Sequence, residues 1–106
     1  MKVRTLIALT AALVVSSTAF ASDDGAAAFK KANCGTCHVL DRKSVGPSLK
    51  DIAAKYKADA GAQAKLETKV RNGGSGSFGT MPMPATAKSV SDDSIKTIVT
   101  WILSQK

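Results

Sequence analysis

The feature that most constrains this chain is Cys34-Gly35-Thr36-Cys37-His38, where its only two cysteines and its only histidine fall within five residues. A disulfide between cysteines three apart would close a very small loop and add little stability, because the gain grows with the length of chain enclosed. It would also leave His38 unexplained. A thioredoxin-type redox pair uses C-x-x-C as well, but in a βαβ context, and no segment here alternates with the period of two that a strand needs. A zinc site needs about four ligands, usually Cys and His, and the chain falls one short. C-x-x-C-H is also the attachment signature of a c-type haem. Two thiols three residues apart can reach the two vinyl groups on one edge of the porphyrin. The next residue then lies under the iron, where the imidazole of His38 can bind. Gly35 and Thr36 are small, so the backbone can lie close to the macrocycle.

Size and composition agree. Residues 1–21 read as a secretory leader, cleaved after about Ala21. Lys2 and Arg4 form its basic start, Leu6 to Val15 an apolar run broken only by Thr10, and Ala19-Phe20-Ala21 a small-x-small cleavage site. That run is too short for a comfortable transmembrane anchor, which needs about 20 apolar residues. Residues 22–106 then form one small domain in the periplasm. A domain of this length buries a modest core and usually needs a staple or cofactor. Beyond the leader its aromatics are Phe29, Tyr56, Phe78 and Trp101 only. A large apolar cofactor would fill that deficit. The full chain carries +7, and Lys2 and Arg4 supply two of those charges, which leaves +5 on residues 22–106. Such an excess favours acidic protein surfaces or anionic membranes. The lysines are spread rather than clustered and do not alternate with aromatics, which argues against nucleic acid.

Periodicity predicts an all-α chain. A short helix is expected over residues 25–33, capped by Ser22, Asp23 or Asp24. A loop over 39–47 closes at Gly46-Pro47. A second helix over 48–57 is capped by Ser48 and puts Leu49, Ile52, Ala53 and Tyr56 on one face. A third, over 61–72, carries Ala62, Leu66 and Val70 at spacings of four and stops at Asn72-Gly73. The last, over 92–105, is capped by Ser91, has Asp92 and Asp93 at its positive end, and bears the stripe Ile95, Ile98, Val99, Ile102 and Leu103. Between them, residues 73–90 hold four glycines and two prolines. A loop this long in so small a domain is usually functional or disordered.

An axial ligand opposite His38 must come from elsewhere. With no second histidine, bis-histidine ligation within one chain is excluded. Met81 and Met83 both lie in the glycine-rich loop, in Thr80-Met81-Pro82-Met83-Pro84. The prolines on either side of Met83 restrict its backbone. A stiff loop can hold a weak thioether against the iron, whereas methionines that merely fill core gaps do not belong in so polar a stretch.

Taken together, these residues resemble the small bacterial monohaem class I cytochromes c. The resemblance runs over the whole of residues 22–106. It includes Phe29, the C-x-x-C-H motif, Val45-Gly46-Pro47, Asn72-Gly73, Pro82-Met83-Pro84, and a C-terminal helix with Trp101 ending Leu103-Ser104-Gln105-Lys106. It implies four to five short helices wrapped around one covalent haem c held at Cys34 and Cys37, with the N- and C-terminal helices crossing at Phe29 and Trp101. It implies His38 and Met83 as iron ligands, Met81 standing where the family usually has a non-ligand apolar residue. It implies that the Pro47 carbonyl accepts the His38 Nδ1–H bond, which orients the ring and raises its basicity. Lys69 and Phe78 stand where the family often has an arginine and a tryptophan on a haem propionate, and Ala85 to Val90 is slightly longer than in that family.

His/Met ligation leaves no open site, favours the ferrous state and raises the potential. The expected function is therefore single-electron transfer between Fe(III) and Fe(II), not catalysis. Basic residues such as Lys43, Lys50 and Lys88 are candidates for steering towards acidic patches. The resemblance suggests a quinol–cytochrome c reductase as donor, and a terminal oxidase, nitrite reductase or cytochrome c peroxidase as acceptor, for a monomeric carrier without stable membrane insertion. Two other readings stand beside it: a haem protein with a labile sixth ligand for gas or peroxide chemistry, and a thiol–disulfide oxidoreductase using Cys34 and Cys37.

Overall fold

The computed structural model describes Ala12 and residues 21–106; side chains are described from Asp24 onward. The expected leader, residues 1–21, lies outside the described residues apart from Ala12 and Ala21. Among the described residues there are, in chain order, four α-helices and one 3-10 turn: α1 Ala21–Lys31, the turn Cys34–Thr36, α2 Leu49–Tyr56, α3 Ala62–Asn72 and α4 Asp92–Leu103. The described residues form no strand, only an isolated antiparallel bridge between Gly74 and Met83. No helix among them is long and apolar enough to cross a membrane.

Helix α4 is the hub, since α1, α2 and α3 all pack on it. Its stripe explains why: Ile95, Ile98 and Val99 are at most 2% exposed, and Ile102 is also buried. Each such side chain contributes about 1.5–3 kcal/mol on leaving water. Leu49 and Ile52 of α2, Leu66 and Val70 of α3 and Phe29 of α1 complete the core, with Trp101 packed against it. The first and last helices meet at the Phe29 and Trp101 rings, whose centroids are 5.1 Å apart. Gly25 permits that closeness, because a Cβ there would lie 2.1 Å from Trp101 Cβ.

The helix ends obey local chemistry. Ser48 caps α2, its hydroxyl accepting from the Asp51 amide at 3.0 Å. Ser91 caps α4 in the same way, through the Ser94 amide at 3.1 Å. Before α3, the Asp59 carboxylate accepts from the Gly61 amide at 2.8 Å and pairs with Lys65 at 2.7 Å. Helix α1 departs from expectation at both ends. It begins at Ala21, so Ser22, Asp23 and Asp24 fall inside its first turn instead of capping residue 25. It stops at Lys31, not at Asn33, because Asn33 takes a left-handed conformation with φ 61°. Asparagine tolerates that region better than most residues, and the reversal starts the turn that carries the cysteines.

Candidate functional site

Asn33 ends α1 and feeds directly into the 3-10 turn of Cys34–Thr36. The amides of Cys37 and His38 both donate to the Cys34 carbonyl, at 3.2 and 3.1 Å, which winds the motif into one tight turn. Cys34 packs against the core and Cys37 is half-buried; both are free thiols. Burial pushes the Cys34 thiol above its ordinary range; a backbone hydrogen bond opposes this and the neighbouring Cys37 adds to it. Reactive redox cysteines are shifted the other way, by positive surroundings that favour the thiolate.

His38 is gripped from two directions. Its Nδ1 lies 2.8 Å from the Pro47 carbonyl oxygen. A carbonyl only accepts, so Nδ1 carries the proton and Nε2 keeps its lone pair for a metal. Gly46 meets the ring itself: a Cβ there would stand 2.5 Å from Cε1 and 2.9 Å from Nδ1. The Gly46 amide donates to the Cys37 carbonyl at 2.8 Å, tying the loop back to the motif. Sequence reasoning reads Gly46 as half of a turn signal; nothing in the sequence places it against the imidazole.

The methionine-bearing loop hangs from the end of α3. Gly73 takes φ +69°, a conformation that side chains disfavour, and a Cβ on it would lie 2.3 Å from the Met83 carbonyl oxygen. Gly74 and Met83 exchange two backbone hydrogen bonds of 2.9 Å. Beyond Met83, Thr86 donates twice to the Val70 carbonyl, from its amide at 3.2 Å and its hydroxyl at 2.7 Å. Arg71 then reaches the Ala87 and Val90 carbonyls and Asp92. Met83 is half-buried and packs on the core, whereas Met81 is 66% exposed. The two methionines are therefore in different environments, and Met83 is the one directed inward.

Phe78 lies within this loop and Lys69 borders it from the end of α3. The Lys55 ammonium sits 4.4 Å from the Phe78 ring centroid and also donates to the Ser77 carbonyl. Lys69 Nζ lies 3.3 Å from where a Cβ on Gly74 would be. Lys55, on α2, was not legible as a neighbour of Phe78, 23 residues away in the chain. Lys43, Lys50 and Lys88 are all exposed.

The residues fit a large, flat apolar group. Among the described residues, the large hydrophobic side chains left exposed are Leu40, Val45, Phe78 and Met81. Two lie in the loop that follows His38 and two in the methionine loop, so both segments present uncovered apolar surface. Exposed apolar groups of this kind are candidates for a ligand or partner site, and an imidazole directly after two thiols three apart is the attachment set of a covalent haem.

Comparison with known proteins decides the family. The sequence pattern described as Cytochrome c matches residues 22–106. The chain belongs to the cytochrome c family. It is 42% identical to cytochrome c-551 of Pseudomonas aeruginosa over 106 residues, covering all of both chains. It is 45% identical to cytochrome c-552 of Nitrosomonas europaea over 95 residues, 90% of this chain and 88% of that one. The crystal structure of Nitrosomonas europaea cytochrome c552 superposes with a TM-score of 0.72 at 46% identity, covering 76% of this chain and 99% of that one. The class 1 cytochrome MtoD of Sideroxydans lithotrophicus superposes with a TM-score of 0.64 at 32% identity, covering 77% and 92%. As a small class I cytochrome c, the protein binds one covalent haem c and carries electrons; it is not an enzyme.

Proposed function

We propose that this cytochrome c is a periplasmic one-electron carrier with His38 and Met83 as axial ligands and haem attached through Cys34 and Cys37. The observation that carries the ligand reading is the 2.8 Å contact between His38 Nδ1 and the Pro47 carbonyl. It fixes the tautomer, leaves the Nε2 lone pair available to a metal and strengthens the ring as a donor. Each thiol would add across one vinyl group, sulfur bonding to one carbon and the thiol hydrogen to the other. Met83 is favoured over Met81 by its burial against the core and by Pro82 and Pro84, which limit its backbone. Bound there, haem supplies a reversible Fe(III)/Fe(II) couple.

The rest is the work of the polypeptide. A haem held at Cys34, Cys37 and His38 would lie beside the apolar core, which would exclude water from it and limit reorganisation when charge changes. Methionine ligation raises the potential. Exposed Lys43, Lys50 and Lys88 add positive potential that steers encounter with acidic partner surfaces and weakens with salt. Such partners are a quinol–cytochrome c reductase as donor and a terminal oxidase, nitrite reductase or cytochrome c peroxidase as acceptor. Lys69 and Phe78 are candidate haem contacts beside the methionine loop. Residues 1–21 act as a leader removed after about Ala21, which delivers residues 22–106 to the periplasm, where we expect a monomer.

Mass spectrometry of the denatured periplasmic protein tests the attachment. The expected mass is that of residues 22–106 plus one haem, with the haem retained after acid–acetone extraction. Cys34→Ala with Cys37→Ala should leave it extractable. Haem that is extractable from the unaltered protein contradicts covalent attachment, and a mass that includes residues 1–21 contradicts the leader.

A further inference from the structure

The longest loop is pinned at its far end by one side chain. Arg71 stands in the last turn of α3, and its guanidinium crosses to the segment that leads from Met83 into α4. Nη2 donates to the Val90 carbonyl at 2.6 Å and to Asp92 Oδ1 at 2.7 Å. Nε donates to the same carboxylate oxygen at 3.1 Å, and Nη1 to the Ala87 carbonyl at 3.3 Å. A planar fork can serve several acceptors at once, which a lysine ammonium on a flexible stem cannot do in the same fixed geometry.

The two ends of this grip differ in weight. The Asp92 side chain is 93% exposed. Exposed ion pairs contribute little. The bond to the Val90 carbonyl is partly buried and charge-assisted. The packing of α3 on α4 does not depend on it, because Ala62, Leu66 and Val70 bury that face of α3. What does depend on it is the path of residues 87–91. Gly73 and Gly74 hold the near side of Met83, Thr86 anchors the chain three residues beyond it, and Arg71 fixes the stretch from there to α4.

We propose that Arg71 is a positioning residue for the methionine ligand, holding the Ala87 and Val90 carbonyls so that the segment after Met83 cannot peel away and release its sulfur. The inference rests on Met83 being the ligand. A merely structural arginine would lower the stability of the whole fold. A positioning arginine lowers the stability of the methionine-ligated loop ahead of the fold.

The test is a urea titration of the oxidised holoprotein monitored by two signals, the weak far-red sulfur–iron band and the far-UV circular dichroism of the helices. Arg71→Gln should pull the band's midpoint below the helix midpoint and raise the methionine-released population about tenfold, as expected for losing one charge-assisted bond. Arg71→Lys keeps the cation and one bond, so it should give a smaller separation of the same sign and serves if Arg71→Gln does not fold. Asp92→Asn should leave the gap between the two curves unchanged. Curves that move together, or not at all, in both Arg71 variants overturn the proposal, and so does an Asp92→Asn separation equal to that of Arg71→Gln. A band that survives Met83→Leu overturns the ligand assignment and this proposal with it. A band lost in Met83→Leu yet indifferent to Arg71 overturns the clamp alone.

Discussion

The two loops that present the donors are built on opposite principles. The histidine side is local: motif, Gly46 and Pro47 lie within ten residues of His38, and the ring is held by one hydrogen bond and one backbone surface. The methionine side is remote. Met83 is placed by Gly73 and Gly74, by Thr86 on Val70 and by Arg71 on Ala87 and Val90, contacts that span up to 19 residues and converge on the end of α3. A local grip forms with the turn itself. A remote one must first meet the entropy of ordering a long glycine-rich loop. The methionine side should therefore be the one that lets go first.

The largest expected effect falls on that side. Gly73→Ala forces a side chain into φ +69° and against the Met83 carbonyl, 2.3 Å away. We expect a loss of about 3 kcal/mol in urea unfolding and a weakened sulfur–iron band. Gly46→Ala strikes the other side, pushing on the imidazole 2.5 Å away. It should cost about 2 kcal/mol through a displaced ring and a lost Pro47 bond, with the methionine band retained. If Gly46→Ala releases methionine more readily than Gly73→Ala does, the contrast between the sides is wrong.

Two smaller changes sharpen it. Ser48→Ala removes the cap of α2 just after Pro47, and Thr86→Val removes the hydroxyl bond to Val70. Each should cost about 1 kcal/mol. Only Thr86→Val should also lower the urea concentration at which the sulfur–iron band is lost relative to the helices. The smallest effect is that of the exposed Asp59–Lys65 pair. The Lys65 bond and the Gly61 amide hold Asp59 below its ordinary value of 3.8. Its contribution is present above that value and lost as pH falls through the lower folded one. Lys65 is raised from 10.5 by its bond to Asp59, so its contribution is present below 10.5 and lost as pH rises through the raised value. Asp59→Asn should flatten the acid limb slightly and leave both ligand loops unchanged.

Those contrasts track what the sequence could reveal. The haem motif, the core stripe of α4, the Ser48 and Ser91 caps and the Gly73 stop were legible because each is written in neighbouring residues. The start of α1 was not, since a run of small and polar residues carries no stronger boundary at Gly25 than at Ala21. The left-handed Asn33 was also hidden, because asparagine is equally at home as a helix's last residue. Gly46 beneath the imidazole, Lys55 over Phe78 and Arg71 on Val90 are tertiary meetings with no spacing rule. On the site, the motif announced the histidine side; for the methionine side the sequence offered two candidates, and the proposed ligand, Met83, packs on the core while Met81 is exposed.

The most direct test of the central claim is the optical spectrum of the oxidised and dithionite-reduced holoprotein beside Met83→Leu and Met81→Leu. His38/Met83 ligation predicts sharp reduced α and β bands, a weak far-red band when oxidised, its loss in Met83→Leu and its survival in Met81→Leu. Haem bands without the far-red band in the unaltered protein, or a far-red band that survives Met83→Leu, would contradict it.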